Sequence, residues 1–171
     1  QRYLALGYPA HATLPETFPY PELLIDPARQ PQLLTKFALR RDRPVLILCP
    51  GAEYGPSKRW PEAYYAHVAD HKIRQGWQVW LLGSAKDNSV TEAIRDQLDE
   101  VQQVHCHNLA GTTQLDEAID LMAVADAVVS NDSGLMHVAA AVGTRVSVLY
   151  GSTTPDFTPP LTADADIHYL R

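Results

Sequence analysis

Beyond Pro44 the chain carries four short apolar runs: Val45-Leu46-Ile47-Leu48-Cys49, Gln78-Val79-Trp80-Leu81-Leu82, Ala127-Val128-Val129-Ser130 and Val146-Ser147-Val148-Leu149-Tyr150. Continuous apolar runs of this length, without alternation, predict parallel strands covered on both faces. Residues 103–109 are more polar and predict a strand nearer an edge, and Ile167-His168-Tyr169-Leu170 is strand-like as well. Helical spacing fills the intervals. Pro61 suits a first helical position, Tyr65, Val68, Ala69 and Ile73 form a stripe, and Gly76 can close that helix. Leu115, Ala118, Ile119 and Met122 make a second stripe, with Thr113 as its expected cap and Asp116 three residues on. Residues 135–142 are apolar and alanine-rich, end at Gly143, and predict a helix packed closely on the strands. Strand and helix alternate at βαβ lengths. The expected fold is α/β, a doubly wound Rossmann-like parallel sheet.

Residues 1–43 differ. Seven of the thirteen prolines fall within the first 44 residues, and the apolar positions there keep no period. This stretch reads as connecting chain laid over a domain at 44–171. Gln1 at one end and a strand-like segment running to Arg171 at the other give the expectation of a piece of a longer protein.

Composition narrows the classes of function. A net charge of −6 without a basic cluster argues against nucleic acid, whose phosphates demand Lys and Arg. No apolar run is long enough to span a bilayer as a helix. Cys49 and Cys106 are too few for a disulfide framework and lack metal spacing, which fits a reducing compartment.

In doubly wound sheets, ligands sit outside the carboxyl ends of the strands. That directs attention to residues 50–60, 83–88, 109–114, 131–136 and 151–160, each combining Gly, Ser, Thr or charge at a strand exit. Ser130-Asn131-Asp132-Ser133-Gly134-Leu135-Met136-His137 enters a helix, whose free N–H groups suit an anion. Gly134 lacks the Cβ that would hold a ligand off the backbone. Ordinary N-capping by Asp132 or Ser133 is the alternative. Lys58, followed by Arg59, precedes another helix start and can meet a phosphate, or can be a solvated basic pair. Asp87, in Gly83-Ser84-Ala85-Lys86-Asp87, can accept from ribose hydroxyls or simply cap its own helix.

Other chemistries fail on spacing. His67 and His71 stand four apart, but Val68 occupies the position of the Glu needed for a zinc protease helix. His105 and His107 share a strand face without a third ligand at suitable spacing. Asp132, Ser133 and His137 suggest a hydrolase, yet Asn131 and Leu135 stand where a nucleophile elbow needs glycine. Neither a Walker P-loop nor G-x-G-x-x-G occurs.

Five ordered blocks carry a resemblance. They are Cys49-Pro50-Gly51-Ala52-Glu53-Tyr54-Gly55-Pro56-Ser57-Lys58-Arg59-Trp60-Pro61, Gly83-Ser84-Ala85-Lys86-Asp87 and Asn108-Leu109-Ala110-Gly111-Thr112-Thr113-Gln114-Leu115. The other two are Asn131-Asp132-Ser133-Gly134-Leu135-Met136-His137-Val138-Ala139-Ala140-Ala141 and Pro155-Asp156-Phe157-Thr158-Pro159-Pro160-Leu161. Together, from residue 44 to 161, they resemble the C-terminal domain of the ADP-heptose:lipopolysaccharide heptosyltransferases, glycosyltransferase family nine, and within it the heptosyltransferase II group.

The resemblance implies the C-terminal half of a GT-B enzyme, with two Rossmann-like domains facing a cleft. It implies inverting transfer of L-glycero-D-manno-heptose from ADP-heptose to the inner core of lipopolysaccharide, heptosyl-Kdo-lipid A, without a required cofactor or metal. Lys58 would contact donor phosphate and stabilise the leaving group, Asp87 would contact the adenosine ribose, and Ser84 would also belong to the donor site. Thr113 would stand near adenine, and Asp132, Ser133, Gly134, Leu135, Met136 and His137 would hold pyrophosphate and heptose. The catalytic base, an Asp of the N-terminal domain, has no counterpart in these residues, so the fragment alone is expected to be inactive. Glu53-Tyr54 departs from a hydroxyl-rich pair expected in relatives that add the first heptose. The implied setting is cytoplasmic, at the inner face of a Gram-negative inner membrane, with peripheral membrane contact through the other half. A nucleotide-sugar epimerase half and a non-catalytic nucleotide-binding module remain as alternatives.

Overall fold

The structure, a computed structural model, describes residues 5–53 and 56–170. Tyr54 and Gly55, both in the loop singled out above, lie outside the described residues. In chain order the elements are α1 (Gln30–Lys36), β1 (Val45–Cys49), a 3₁₀ turn (Pro56–Lys58), α2 (Glu62–Arg74) and β2 (Gln78–Leu81). A second 3₁₀ turn (Ala85–Asp87) runs into α3 (Asn88–Arg95), followed by α4 (Glu100–Gln103) and β3 (Cys106–Asn108). Then come α5 (Leu115–Val124), β4 (Ala127–Asn131), α6 (Gly134–Ala141), β5 (Val146–Tyr150) and β6 (Ala165–Tyr169).

The six strands form one sheet in the order β3-β2-β1-β4-β5-β6, with every neighbouring pair parallel. Strand alternation divides the core. Val45, Ile47 and Cys49 face one layer with Trp80, Met122, Met136 and Val148, while Leu46 and Leu48 face the other with Tyr65, Ile73, Leu81 and Ile94. Both faces of the sheet are covered by helices, so its central strands can be apolar throughout. The direction of winding reverses between β1 and β4. Loops leaving those two strands therefore part company, and a crevice opens between them.

Local chemistry shifts several predicted boundaries. Pro61 takes the N-cap position of α2, with φ −56° and ψ 141°, one residue earlier than its expected place inside the helix. Gly76 closes that helix at φ +87°, a left-handed conformation that favours glycine. The expected strand over 103–109 is shortened because Asp99 and Gln102 cap each other reciprocally, turning residues 100–103 into a helical turn. Its remainder, β3, does lie at the sheet edge. Thr113 does not cap α5. Gln114 takes that place, its N–H donating to Glu117 Oε2 at 3.0 Å, so the capping partner is Glu117 and not Asp116.

The proline-rich N-terminal stretch is tied down in places. Leu33 and Leu39 are buried in the core layer beneath α5 and α6. The Leu23 N–H donates to Ala141 O at 2.9 Å, and Arg29 pairs with the buried Asp120 at 2.9 Å.

Candidate functional site

A cleft of about 500 Å³ opens at the carboxyl ends of β1, β2, β3 and β4. Four of the loops singled out by sequence contribute to it: Gly51 and Glu53 after β1, Ser84 and Asp87 after β2, Thr113 after β3, and Ser133, Gly134 and Leu135 after β4. Leu82, Leu115, Ala118 and Val138 give the cleft apolar lining that suits a planar ring. Leu115, expected in the core stripe of α5, instead has 64% of its surface exposed and lies along the cleft. Leu121, which the stripe omitted, is buried in its stead.

Lys58 and Asp132 arrive from β1 and β4 and meet. The Lys58 Nζ donates to Asp132 Oδ2 at 2.9 Å, with the carboxylate almost wholly buried. Burial raises the affinity of Asp132 for its proton. Lys58 and the nearby hydroxyls of Thr153 and Thr158 outweigh that effect, holding the carboxyl below its ordinary range. A cation held by a single carboxylate keeps two further N–H donors for another anion.

Asp87 packs against two glycines. A Cβ on Gly51 would stand 2.5 Å from the Asp87 Cγ, and one on Gly83 would stand 2.8 Å from its Cβ. The Asp87 Oδ2 accepts from the Ser84 N–H at 2.9 Å and the Ser84 hydroxyl at 2.7 Å. Arg59 approaches Oδ1 at 3.7 Å. Asp87 stands at the N-cap position of α3 but makes no side-chain cap there; its carboxylate turns back to Ser84 within the 3₁₀ turn and also lines the cleft.

Ser133 stands at the N-cap position of α6 but makes no side-chain cap; its hydroxyl lies 3.3 Å from that of Ser130. The opening N–H groups of α6 thus lack a side-chain partner, the arrangement that suits an anion. Gly134 has open space where a Cβ would be. Replacing Gly134 with Ala should leave the thermal midpoint unchanged or slightly raised, since the backbone there needs no glycine. The methyl would project into the cleft and weaken binding of ADP about tenfold or more. Calorimetry beside thermal melts checks both halves of this expectation.

Asp132, Met136 and His137 of the same block do not line the cleft, and neither does Lys58. Met136 is fully buried, with the Tyr150 hydroxyl 3.5 Å from its sulfur, so it supports the core. His137 faces a second, smaller hollow lined by Glu22, Leu23 and Leu161. Helical geometry explains the division: Gly134, Leu135 and Val138 share the cleft side of α6, while Met136, Ala139 and Ala140 turn inward. His137 loses proton affinity through desolvation, against a smaller opposing pull from Asp132. The other histidine pairs stay outside the site, with His67 and His71 both exposed on α2. Among the described residues, no three His, Cys, Asp or Glu side chains are grouped to hold a metal ion.

Sequence reasoning left Asn131 without a role. Its side chain is fully buried, donates to Pro50 O at 2.7 Å, and accepts from the Trp60 N–H at 3.2 Å and the Tyr65 hydroxyl at 3.0 Å. The available signal was an amide at the exit of a strand flanked by apolar residues on its inner positions, where a buried polar group demands partners. Ala118 was missed as a lining residue for a plainer reason: apolar spacing alone does not separate core from cleft wall.

Comparison with known proteins places this geometry in a family. The sequence matches glycosyltransferase family 9 (heptosyltransferase) over residues 1–170. It is 49% identical to lipooligosaccharide heptosyltransferase 2 of Haemophilus influenzae and 45% identical to lipopolysaccharide heptosyltransferase 2 of Escherichia coli. Each alignment covers 98% of this chain, and respectively 50% and 49% of the relative. The chain thus spans about half the length of these curated relatives. The solved structure of E. coli ADP-heptose LPS heptosyltransferase II superposes with a TM-score of 0.94 at 44% identity, covering 99% of this chain and 53% of that one. A family 9 glycosyltransferase from Veillonella parvula gives 0.80 at 25% identity, covering 92% and 45%. With the family matched along nearly the whole chain and the same sheet found in its solved members, this chain belongs to glycosyltransferase family 9, the heptosyltransferases.

Proposed function

We propose that these residues form the donor-binding half of an inverting heptosyltransferase, which moves L-glycero-D-manno-heptose from ADP-heptose to the lipopolysaccharide inner core, heptosyl-Kdo-lipid A. The observation that carries this reading is the cleft itself, with apolar lining for a base and the uncapped start of α6 in its wall. Lys58 does not line it, but is held by Asp132, the residue just before Ser133 in that wall. The E. coli structure, whose described protein is an ADP-heptose enzyme, supports the choice of nucleotide. In this reading residues 1–43 connect to a preceding domain and residues 44–171 are the donor domain.

Transfer breaks the bond between the anomeric carbon and the diphosphate oxygen and forms one to an acceptor hydroxyl. The diphosphate departs with added negative charge, and Lys58 with the N–H groups of Gly134 and Leu135 would stabilise it. In this reading Ser84 and Asp87 would meet the ribose, and Thr113, Gln114, Leu115 and Ala118, which line the same cleft, would meet adenine. Asp132 holds Lys58 and, in this reading, would accept from heptose hydroxyls. The acceptor hydroxyl needs a general base, which this reading assigns to an Asp of the preceding domain. The reaction then belongs at the cytoplasmic face of the inner membrane, where the other half would contact the lipid.

Full-length protein supplied with ADP-heptose and heptosyl-Kdo-lipid A should release ADP and lengthen the acceptor by one heptose, detected by mass spectrometry. The 171-residue chain should bind ADP but transfer nothing. Turnover by this chain alone, a full-length protein that only epimerises the donor, or binding of ADP with no transfer under any acceptor would each overturn the reading. Binding should not depend on divalent metal, because Asp87 and Asp132 are already engaged by Ser84 and Lys58. Titrating ADP with and without EDTA checks this; loss of binding restored by Mg²⁺ would contradict it.

A further inference from the structure

The loop that carries Lys58 leaves β1 at Pro50 and enters α2 just after Trp60. One side chain holds both of its ends. Asn131 donates to Pro50 O at 2.7 Å and accepts from the Trp60 N–H at 3.2 Å, closing the neck of the loop. The Tyr65 hydroxyl donates to the same amide oxygen at 3.0 Å from the first turns of α2. The amide is fully buried, so water does not compete for these bonds. Its sequence neighbour, Asp132, takes the Lys58 ammonium at 2.9 Å. Two consecutive residues at the end of β4 therefore hold the loop by its backbone and by its cation.

We infer that Asn131 is a positioning residue for the donor diphosphate: by clamping the neck of the Lys58 loop it sets the ammonium beside the start of α6. This rests on the reading of Lys58 as a phosphate contact. The clamp joins the loops that leave β1 and β4, just beyond the point where the two strands stop pairing. Without it, Lys58 would keep its charge but lose its address. Asn131 itself need not touch the donor.

The test is a double-mutant cycle on the full-length protein, with ADP affinity read by calorimetry and folding by thermal melts. Asn131→Ala should weaken ADP binding about five- to fifty-fold when Lys58 is present. In a Lys58→Ala background the same change should have little further effect, because there is no ammonium left to misplace. Tyr65→Phe removes one of the three bonds, and should give a smaller loss with the same dependence on Lys58. It also carries the cycle if Asn131→Ala does not fold. Hydrogen exchange at the Trp60 amide reads the clamp directly and should accelerate in Asn131→Ala. Purely additive effects with Lys58→Ala, or unchanged ADP affinity in folded variants, would overturn the positioning role, since a merely structural residue gives that pattern. Unchanged ADP affinity in Lys58→Ala alone would instead remove the phosphate reading on which the inference rests.

Discussion

Lys58→Ala in the full-length protein should lower kcat/KM for ADP-heptose by the equivalent of about 1.5–3 kcal/mol, the range of a hydrogen bond to a charged group. Part of the loss belongs in kcat, because the leaving diphosphate carries more charge in the transition state than in the bound donor. Asp132→Asn should behave differently. Asp132 holds Lys58 at 2.9 Å, and as an anion it competes with a phosphate for that ammonium. Its replacement by a neutral amide, which can still hydrogen-bond Lys58, should leave ADP affinity nearly unchanged while weakening the use of ADP-heptose, through loss of contacts to the heptose hydroxyls. The contrast should hold from about pH 5 to 8. The Asp132 carboxyl sits below its ordinary range, so the pair persists above the unfolded value near 3.9 and is lost only as pH falls through the depressed folded value. ADP titrations and transfer kinetics on both variants decide the matter. An equal loss of ADP affinity in the two would show that the roles are wrongly divided.

Gly51→Ala should be the most damaging single methyl in the site. The added Cβ would lie 2.5 Å from the Asp87 carboxylate, closer than real Cβ contacts allow. Asp87 cannot retreat freely, since Gly83 hems it from another side and both Ser84 bonds fix it within its turn. The substitution should cost about 1–3 kcal/mol of stability, the usual range for overpacking. Displacement of the Asp87 turn should also reduce ADP binding at least about tenfold at temperatures where the protein is folded. Melts and calorimetry report the two effects separately. Gly134→Ala is the control: the same methyl meets open space and should spare stability. Full ADP affinity in folded Gly51→Ala would refute the importance of this close approach.

Much of the site followed from local pattern. Apolar runs at Val45–Cys49 and Val146–Tyr150 marked strands to the residue, because a strand buried on both faces tolerates few other side chains. A doubly wound sheet then placed candidate chemistry at strand exits, and four of the five loops chosen on that ground do line one cleft. Helix boundaries were less legible. Thr113 and Gln114 both precede α5, and the choice between their caps turned on Glu117 reaching the Gln114 N–H.

The sequence by itself determined the fold class, the loops that face the ligand end, and the residue types available there, since each depends on spacing along a few neighbouring residues. Only the tertiary structure decided which of those residues meet. Lys58 and Asp132 are 74 positions apart, and Asn131 reaches Pro50 across 81. Met136 and His137 stand in the same block as Ser133 and Gly134, yet helical rotation turns one into the core and the other toward a separate hollow. Motif spacing records which residues travel together along the chain. Direction in space is set by the sheet and by the side chains packed against it, so the separation of clamp, cation and core within one short segment became visible only once the strands were side by side.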